Sequence, residues 1–224
     1  ALSVLAGARY NDVRFTSDDS FVIPGNPDDS GSVSYTHTSP VAGAVWHLNE
    51  TVNVYASYGQ GFETPTFAEL AYRPGGATGL NFALRPATSL HREIGLNTLI
   101  GDNGRANVAL FRVDVTNEIV VDTNVGGRST FKNAPGTRRE GLELGWGQKF
   151  VHGFEAALSY TLLNARFTQG FTTLTGTPSV AVPVRAGSKL PGIAGNNLFG
   201  DSLVAADSET GKLKWYFQVT HHPN

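Results

Sequence analysis

The chain has 224 residues, with 17 Lys+Arg against 19 Asp+Glu, 26 Gly, and no Cys or Met. A net charge of -2 offers nucleic acid no basic footprint, and the lack of cysteine excludes disulfides, Cys-ligated metals and a thiol nucleophile. Charged residues make up 16% against roughly 25% in an ordinary soluble domain, which fits a β-rich chain whose outer faces need not all meet water.

The dominant hydrophobic period is two. In chain order, Leu2, Val4, Ala6, Ala8 and Tyr10 share one face of a first predicted strand. A long polar connection follows over residues 11–32, carrying Asp18, Asp19, Asp28 and Asp29. Ala42, Ala44, Trp46 and Leu48 mark the next strand, and His47 to Glu50 is turn chemistry. Val52, Val54, Ala56 and Tyr58 alternate with Thr51, Asn53, Tyr55 and Ser57. A second long connection spans residues 72–84. Beyond the turn at Gly101 to Gly104, Ala109, Phe111, Val113 and Val115 alternate with Leu110, Arg112, Asp114 and Thr116. Leu142, Leu144 and Trp146, then Phe154, Ala156, Leu158, Tyr160 and Leu162, complete the series. About eight or nine strands are expected, several reaching the ~9–11 residues of a tilted membrane-crossing strand. No run approaches the ~18 apolar residues of a membrane helix. Two architectures fit this pattern: an outer-membrane-type barrel, or a soluble all-β sandwich with long hairpins.

Several segments then speak together. Tyr58-Gly59-Gln60-Gly61-Phe62-Glu63-Thr64-Pro65-Thr66-Phe67-Ala68-Glu69-Leu70 resembles the barrel block of TonB-dependent outer-membrane receptors. Asn81-Phe82-Ala83-Leu84-Arg85-Pro86, followed by Glu93-Ile94-Gly95-Leu96, is similar to the family's next block. The stretch from Phe111 to Ile119, then Asn133-Ala134-Pro135-Gly136 and Glu140-Gly141-Leu142-Glu143-Leu144, resembles the blocks after it. The resemblance covers Leu2 to about Phe199. It implies an all-β antiparallel meander, a partial or rearranged outer-membrane-type β-barrel, in the outer membrane. It also implies uptake of a ferric siderophore or similar chelate, with the long connections 11–32 and 72–84 facing outside and touching the ligand. The expected partners are a metal chelate and outer-membrane lipid, with a homo-oligomer through exposed strand edges also open; no cofactor and no resident metal are expected.

Residue by residue, Pro65 belongs where a strand leaves the wall, because it cannot donate to a ladder. Gly141 is read as a point where a strand re-enters and needs backbone latitude. Glu69, Arg92, Glu93 and Glu143 are expected to be solvated or paired charges facing the lumen. Tyr55, Tyr58, Phe111, Trp146 and Tyr160 are either interfacial girdle residues or ordinary sheet packing. A signal peptide, the short box that meets TonB and a plug domain are not recognisable here. With no Met at all, the chain reads as a processed or excised piece of a transporter, without gate or energy coupling of its own.

The expected division is residues 1–199 as the receptor-like segment and residues 200–224 as a foreign-looking tail. The run Ser202 to Trp215 resembles a propeller-blade hairpin of quinoprotein dehydrogenases, although one hairpin cannot build a propeller. A second reading of the tail is an ester or lactone hydrolase. Gly200-Asp201-Ser202-Leu203 resembles the first block of GDSL-type esterases, with Ser202 as nucleophile, His222 or His221 as base and Asp201 or Asp207 as orienting carboxylate. The chain is nonetheless expected not to be an enzyme, and a soluble all-β binding module is the third reading. Asp28, Asp29 and Ser30 are read as a solvated turn rather than a calcium loop, and His221-His222 as a weak metal pair.

Overall fold

The computed structural model describes residues 1–26, 28–76, 79–125, 127–175, 180–190, 202–207 and 213–218, the last two segments as backbone only. Seven long strands follow one another: β1 (Leu2–Ser17), β2 (Gly31–His47), β3 (Val52–Glu63), β4 (Ala87–Ile100), β5 (Gly104–Val125), β6 (Arg128–Lys149) and β7 (Phe154–Phe167). Each pairs antiparallel with the next, giving the all-β meander expected. β8 (Phe171–Thr175) and β9 (Val180–Val184) form a separate hairpin. β10 (Ser202–Asp207) adds to the free side of β7, and β11 (Leu213–Gln218) adds to β10. No pairing joins β1 to the other end of the sheet among the described residues, so the sheet is an open stretch of barrel wall.

Connection lengths sort the two ends. Residues 48–51, 101–103 and 150–153 make tight turns at one end. In the first, the Asn49 side-chain oxygen accepts from the backbone of Thr51 and Val52 at 2.9 and 2.7 Å; in the second, Gly101 adopts φ +57, which glycine takes without a Cβ penalty. The other end carries residues 18–30 and 64–86. The sequence expectation ran the first of these over 11–32; the ladder instead continues to Ser17 opposite Gly31, so Asn11 to Ser17 are wall.

Register assigns each side chain to a face. One face carries Val4, Ala44, Ala56, Ile94, Leu110, Leu142 and Leu162, each aligned with or one rung from the next. Most of these side chains are open to solvent, Val4 at 73% exposure, Ile94 at 54% and Leu110 at 57%, while Ala44 and Leu142 are half-buried. An uninterrupted apolar belt without a covering layer is what a membrane wall needs and a soluble sandwich avoids. The opposite face carries Ser3, Asn53, Ser57, Glu93, Asn97, Asn107, Glu143 and Thr161.

β5 departs from the sequence reading. Its apolar-looking side, Ala109, Phe111, Val113 and Val115, lies on the polar face, and Leu110 lies on the belt. Ala109 is buried there at 4% exposure, so these residues serve packing on the inner side.

Candidate functional site

The polar face is built by complementary pairs of large and missing side chains. Tyr55 leans over Gly95, where a Cβ would lie 2.5 Å from its ring, and its hydroxyl donates to Glu93 Oε1 at 2.5 Å. Phe111 covers Gly141 in the same way, and Asn107 covers Gly145. Tyr55 and Phe111 are therefore not girdle residues, because register puts them on the inner side. Tyr58, Trp146 and Tyr160 are on the apolar face, joined by Trp46. Gly141 is likewise a question of space rather than of re-entry: it sits inside β6 with ordinary φ, beneath Phe111 and against the Leu162 carbonyl. Toward the tight turns, Asn53, Asn97 and Asn107 align in one rung beside a cavity of about 470 Å³ that Arg105 also lines.

The connection 64–86 folds onto the sheet instead of projecting as a free arm. Pro65 is fully buried just past the end of β3, where the wall is left. Thr66 and Glu69 then cap the single-turn helix α1 (Phe67–Leu70): Thr66 N donates to Glu69 Oε2 at 2.7 Å and Glu69 N to Thr66 Oγ1 at 3.3 Å. Glu69 thus caps α1, in a connection whose Phe67 and Leu84 meet Phe15 and Tyr35 of the inner face. Leu70 is completely buried against the sheet.

Farther on, Asn81 donates to the Phe131 carbonyl at 3.2 Å, and the Tyr35 hydroxyl donates to the Leu84 carbonyl at 2.8 Å. Asn133 clamps the exit. Its oxygen accepts from Arg85 N at 2.8 Å, and its amide donates to the carbonyls of Arg85 and Asn117, both at 2.8 Å. The two sequence blocks around Asn81 and Asn133 are the two halves of this clamp. At the outer tip, Arg128 stands over the exposed Tyr72 ring, 5.3 Å from its centroid.

Ion pairs brace the long β5–β6 hairpin. Arg139 bonds Glu118 Oε1 at 2.5 Å and Oε2 at 3.1 Å, and Thr137 donates to the same carboxylate. Lys132 meets Asp122 at 2.6 Å and the Thr172 carbonyl of β8 at 2.6 Å. In connection 18–30, Asp28 Oδ1 accepts from Ser30 N at 2.8 Å, and hydrogen bonds from the Ser30 side chain and backbone hold its carboxyl below the usual carboxylate range. Among the described residues no three His, Asp or Glu side chains gather as metal ligands.

Glu93 and Glu143 lie on the inner face as expected. Arg92 does not: it shares a rung with Tyr58 and Arg112 on the apolar side, and pairs with Asp114 at 3.4 Å. Its parity with Ile94 and Leu96 is the sequence signal for this. Ser202 opens β10 opposite Gln218 of β11, and Asp207 closes β10. Asp201, His221 and His222 lie outside the described residues, as does the proposed propeller turn between β10 and β11.

A family profile described as "TonB dependent receptor-like, beta-barrel" matches residues 1–217. Solved structures share the fold. The copper transporter OprC aligns with TM-score 0.58 and 20% identity, over 78% of this chain and 30% of that one. The ferric-catecholate import receptor Fiu of E. coli K12 aligns with TM-score 0.55 and 21% identity, over 75% and 26%. The hemophore receptor HasR of Serratia marcescens, solved with its hemophore HasA and heme, aligns with TM-score 0.54 and 21% identity, over 91% and 37%. The chain thus spans about a third of the length of the receptors it resembles. An open meander with an apolar belt, a polar inner face and tight turns at one end is part of such a receptor's wall, and the family is one of transport receptors rather than enzymes. The chain belongs to the TonB-dependent receptor β-barrel family and is an outer-membrane protein.

Proposed function

We propose that the chain forms part of the wall and outer rim of a receptor that takes up a ferric siderophore or similar metal chelate. The observation that carries this reading is the clamped connection 64–86. Held by Asn133 and Tyr35, it sets Tyr72 beneath Arg128 at the end of the sheet opposite the tight turns. An aromatic face beside a guanidinium suits a planar, anionic chelator such as a catecholate. Relatives named for ferric catecholate and for alcaligin, the latter being FauA of Bordetella pertussis at 18% identity, support the substrate class. Connection 18–30, with Phe21 65% exposed, supplies a second contact surface at the same rim.

The test is uptake of radiolabelled iron by cells that lack their own receptors and express the receptor containing this chain. Ferric catecholate and ferric hydroxamate are supplied in parallel. Uptake of one of them is expected, and Tyr72→Ala with Arg128→Ala lowers it roughly tenfold at an unchanged level of receptor in the membrane. No uptake of either chelate, or uptake indifferent to the double substitution, overturns the reading.

A further inference from the structure

On the apolar side, directly beyond the belt, five cations collect. Arg92, Arg112, Arg138 and Arg166 occupy neighbouring rungs of β4, β5, β6 and β7, and Lys189 forms a bridge opposite Arg166 at the free side of β7. Asp114 is shared by three of them, at 3.4 Å from Arg92, 2.9 Å from Arg112 and 2.6 Å from Arg138. Glu140 is the other carboxylate of the patch, and its partner is Asn164 at 3.4 Å. Arg166 donates to Asn164 Oδ1 at 2.7 Å, and neither it nor Lys189 has a carboxylate partner among the described residues. Five cations against two carboxylates leave an excess of three positive charges on a surface that otherwise faces lipid. Arg138, Glu140, Asn164, Arg166 and Thr168 line a cavity of about 330 Å³ there.

Height decides what meets this patch. The four arginines stand ~9–13 residues from the tight turns; at ~3.3 Å per residue and ~40° tilt this is about 23–33 Å, the upper edge of a belt ~25 Å tall. Directly below lie Ile94, Leu110 and Leu162, all more than half exposed. A molecule with phosphates at one end and acyl chains at the other satisfies both surfaces at once, and guanidinium pairs phosphate in bidentate fashion.

We propose that this patch is a docking site for a phosphorylated lipid of the outer leaflet, its phosphates held by Arg138, Arg166 and Lys189 and its acyl chains along Ile94, Leu110 and Leu162. The inference rests on the membrane orientation of the wall and is independent of which chelate the receptor carries.

The experiment uses the receptor purified in detergent and stripped of lipid. Binding of bisphosphorylated lipid A, the same lipid after phosphatase treatment, and inorganic phosphate is measured by native mass spectrometry. Bisphosphorylated lipid is expected to bind at least tenfold more tightly than the dephosphorylated form, and millimolar phosphate is expected not to displace it. Arg138→Gln with Arg166→Gln is expected to lose roughly tenfold in affinity, and Arg138→Lys with Arg166→Lys, which keeps the charge but not the bidentate fork, to lose less. Equal binding of both lipids, displacement by free phosphate, or indifference to the glutamine substitutions overturns the proposal. The lipid comparison, made on the unsubstituted receptor, decides the matter even where the double variant does not fold.

Discussion

Gly141→Val is expected to destabilise the wall by about 3 kcal/mol, at the upper end for overpacking a filled site. A Cβ at this position collides with the Leu162 carbonyl of β7, which is backbone and part of a ladder, and stands 2.8 Å from the Phe111 ring. Neither neighbour yields by a rotamer change alone. Gly147 is the control: it lies on the same face of the same strand, and its added Cβ meets nothing nearer than 3.9 Å. Folding into lipid vesicles, followed by the heat-dependent gel shift across a urea series, is expected to separate the two. Gly147→Ala should track the wild type and Gly141→Val should fold only at much lower urea. Equal midpoints would show that β6 and β7 do not pack as closely as described.

Asn133→Ala is expected to cost about 2–3 kcal/mol, concentrated in the connection rather than in the sheet. The substitution removes one acceptor and two donations, all at 2.8 Å, that join β6 to Arg85 and Asn117. Asn133→Asp keeps the acceptor for Arg85 N and loses both donations, so it should fall between the two. Limited proteolysis reads the effect: cleavage within residues 64–86 is expected to accelerate at least tenfold in the alanine variant, with the strands intact. Cleavage at the wild-type rate would mean that Leu70 burial holds the connection without the clamp.

The strands were legible because alternation is a local signal that needs no partner. Leu142-Glu143-Leu144 and Val52-Asn53-Val54 announce their two faces by themselves, and the register confirms them. β5 was not legible in this way. Its inner side near the outer rim is lined by packing residues, so Val113 and Val115 look like a lipid face when read alone. Arg92 and Glu93 look like one charge pair in sequence, but a strand sends neighbours to opposite sides: Arg92 goes to the apolar face beside Asp114 and Glu93 to Tyr55. The clamp was invisible for a different reason. Asn81 and Asn133 each read as a family block, and nothing local says that they hold the same connection from two sides of the chain. Glu69 carried a further local signal, since Thr66 three residues before it spells a capping box.

The central claim is that β3 puts its even positions to lipid and its odd positions to the receptor interior. This chain has no cysteine, so once any cysteine elsewhere in the receptor is replaced, single cysteines at each position from Asn53 to Tyr58 can carry a spin label in the bilayer-reconstituted receptor. Collision with dissolved oxygen, which concentrates in lipid, should peak at Val54, Ala56 and Tyr58. Collision with a water-soluble nickel chelate should peak at Asn53, Tyr55 and Ser57. The opposite phase, or no alternation between the two reagents, would contradict the assignment of the apolar belt to the membrane and with it the account of this chain as a receptor wall.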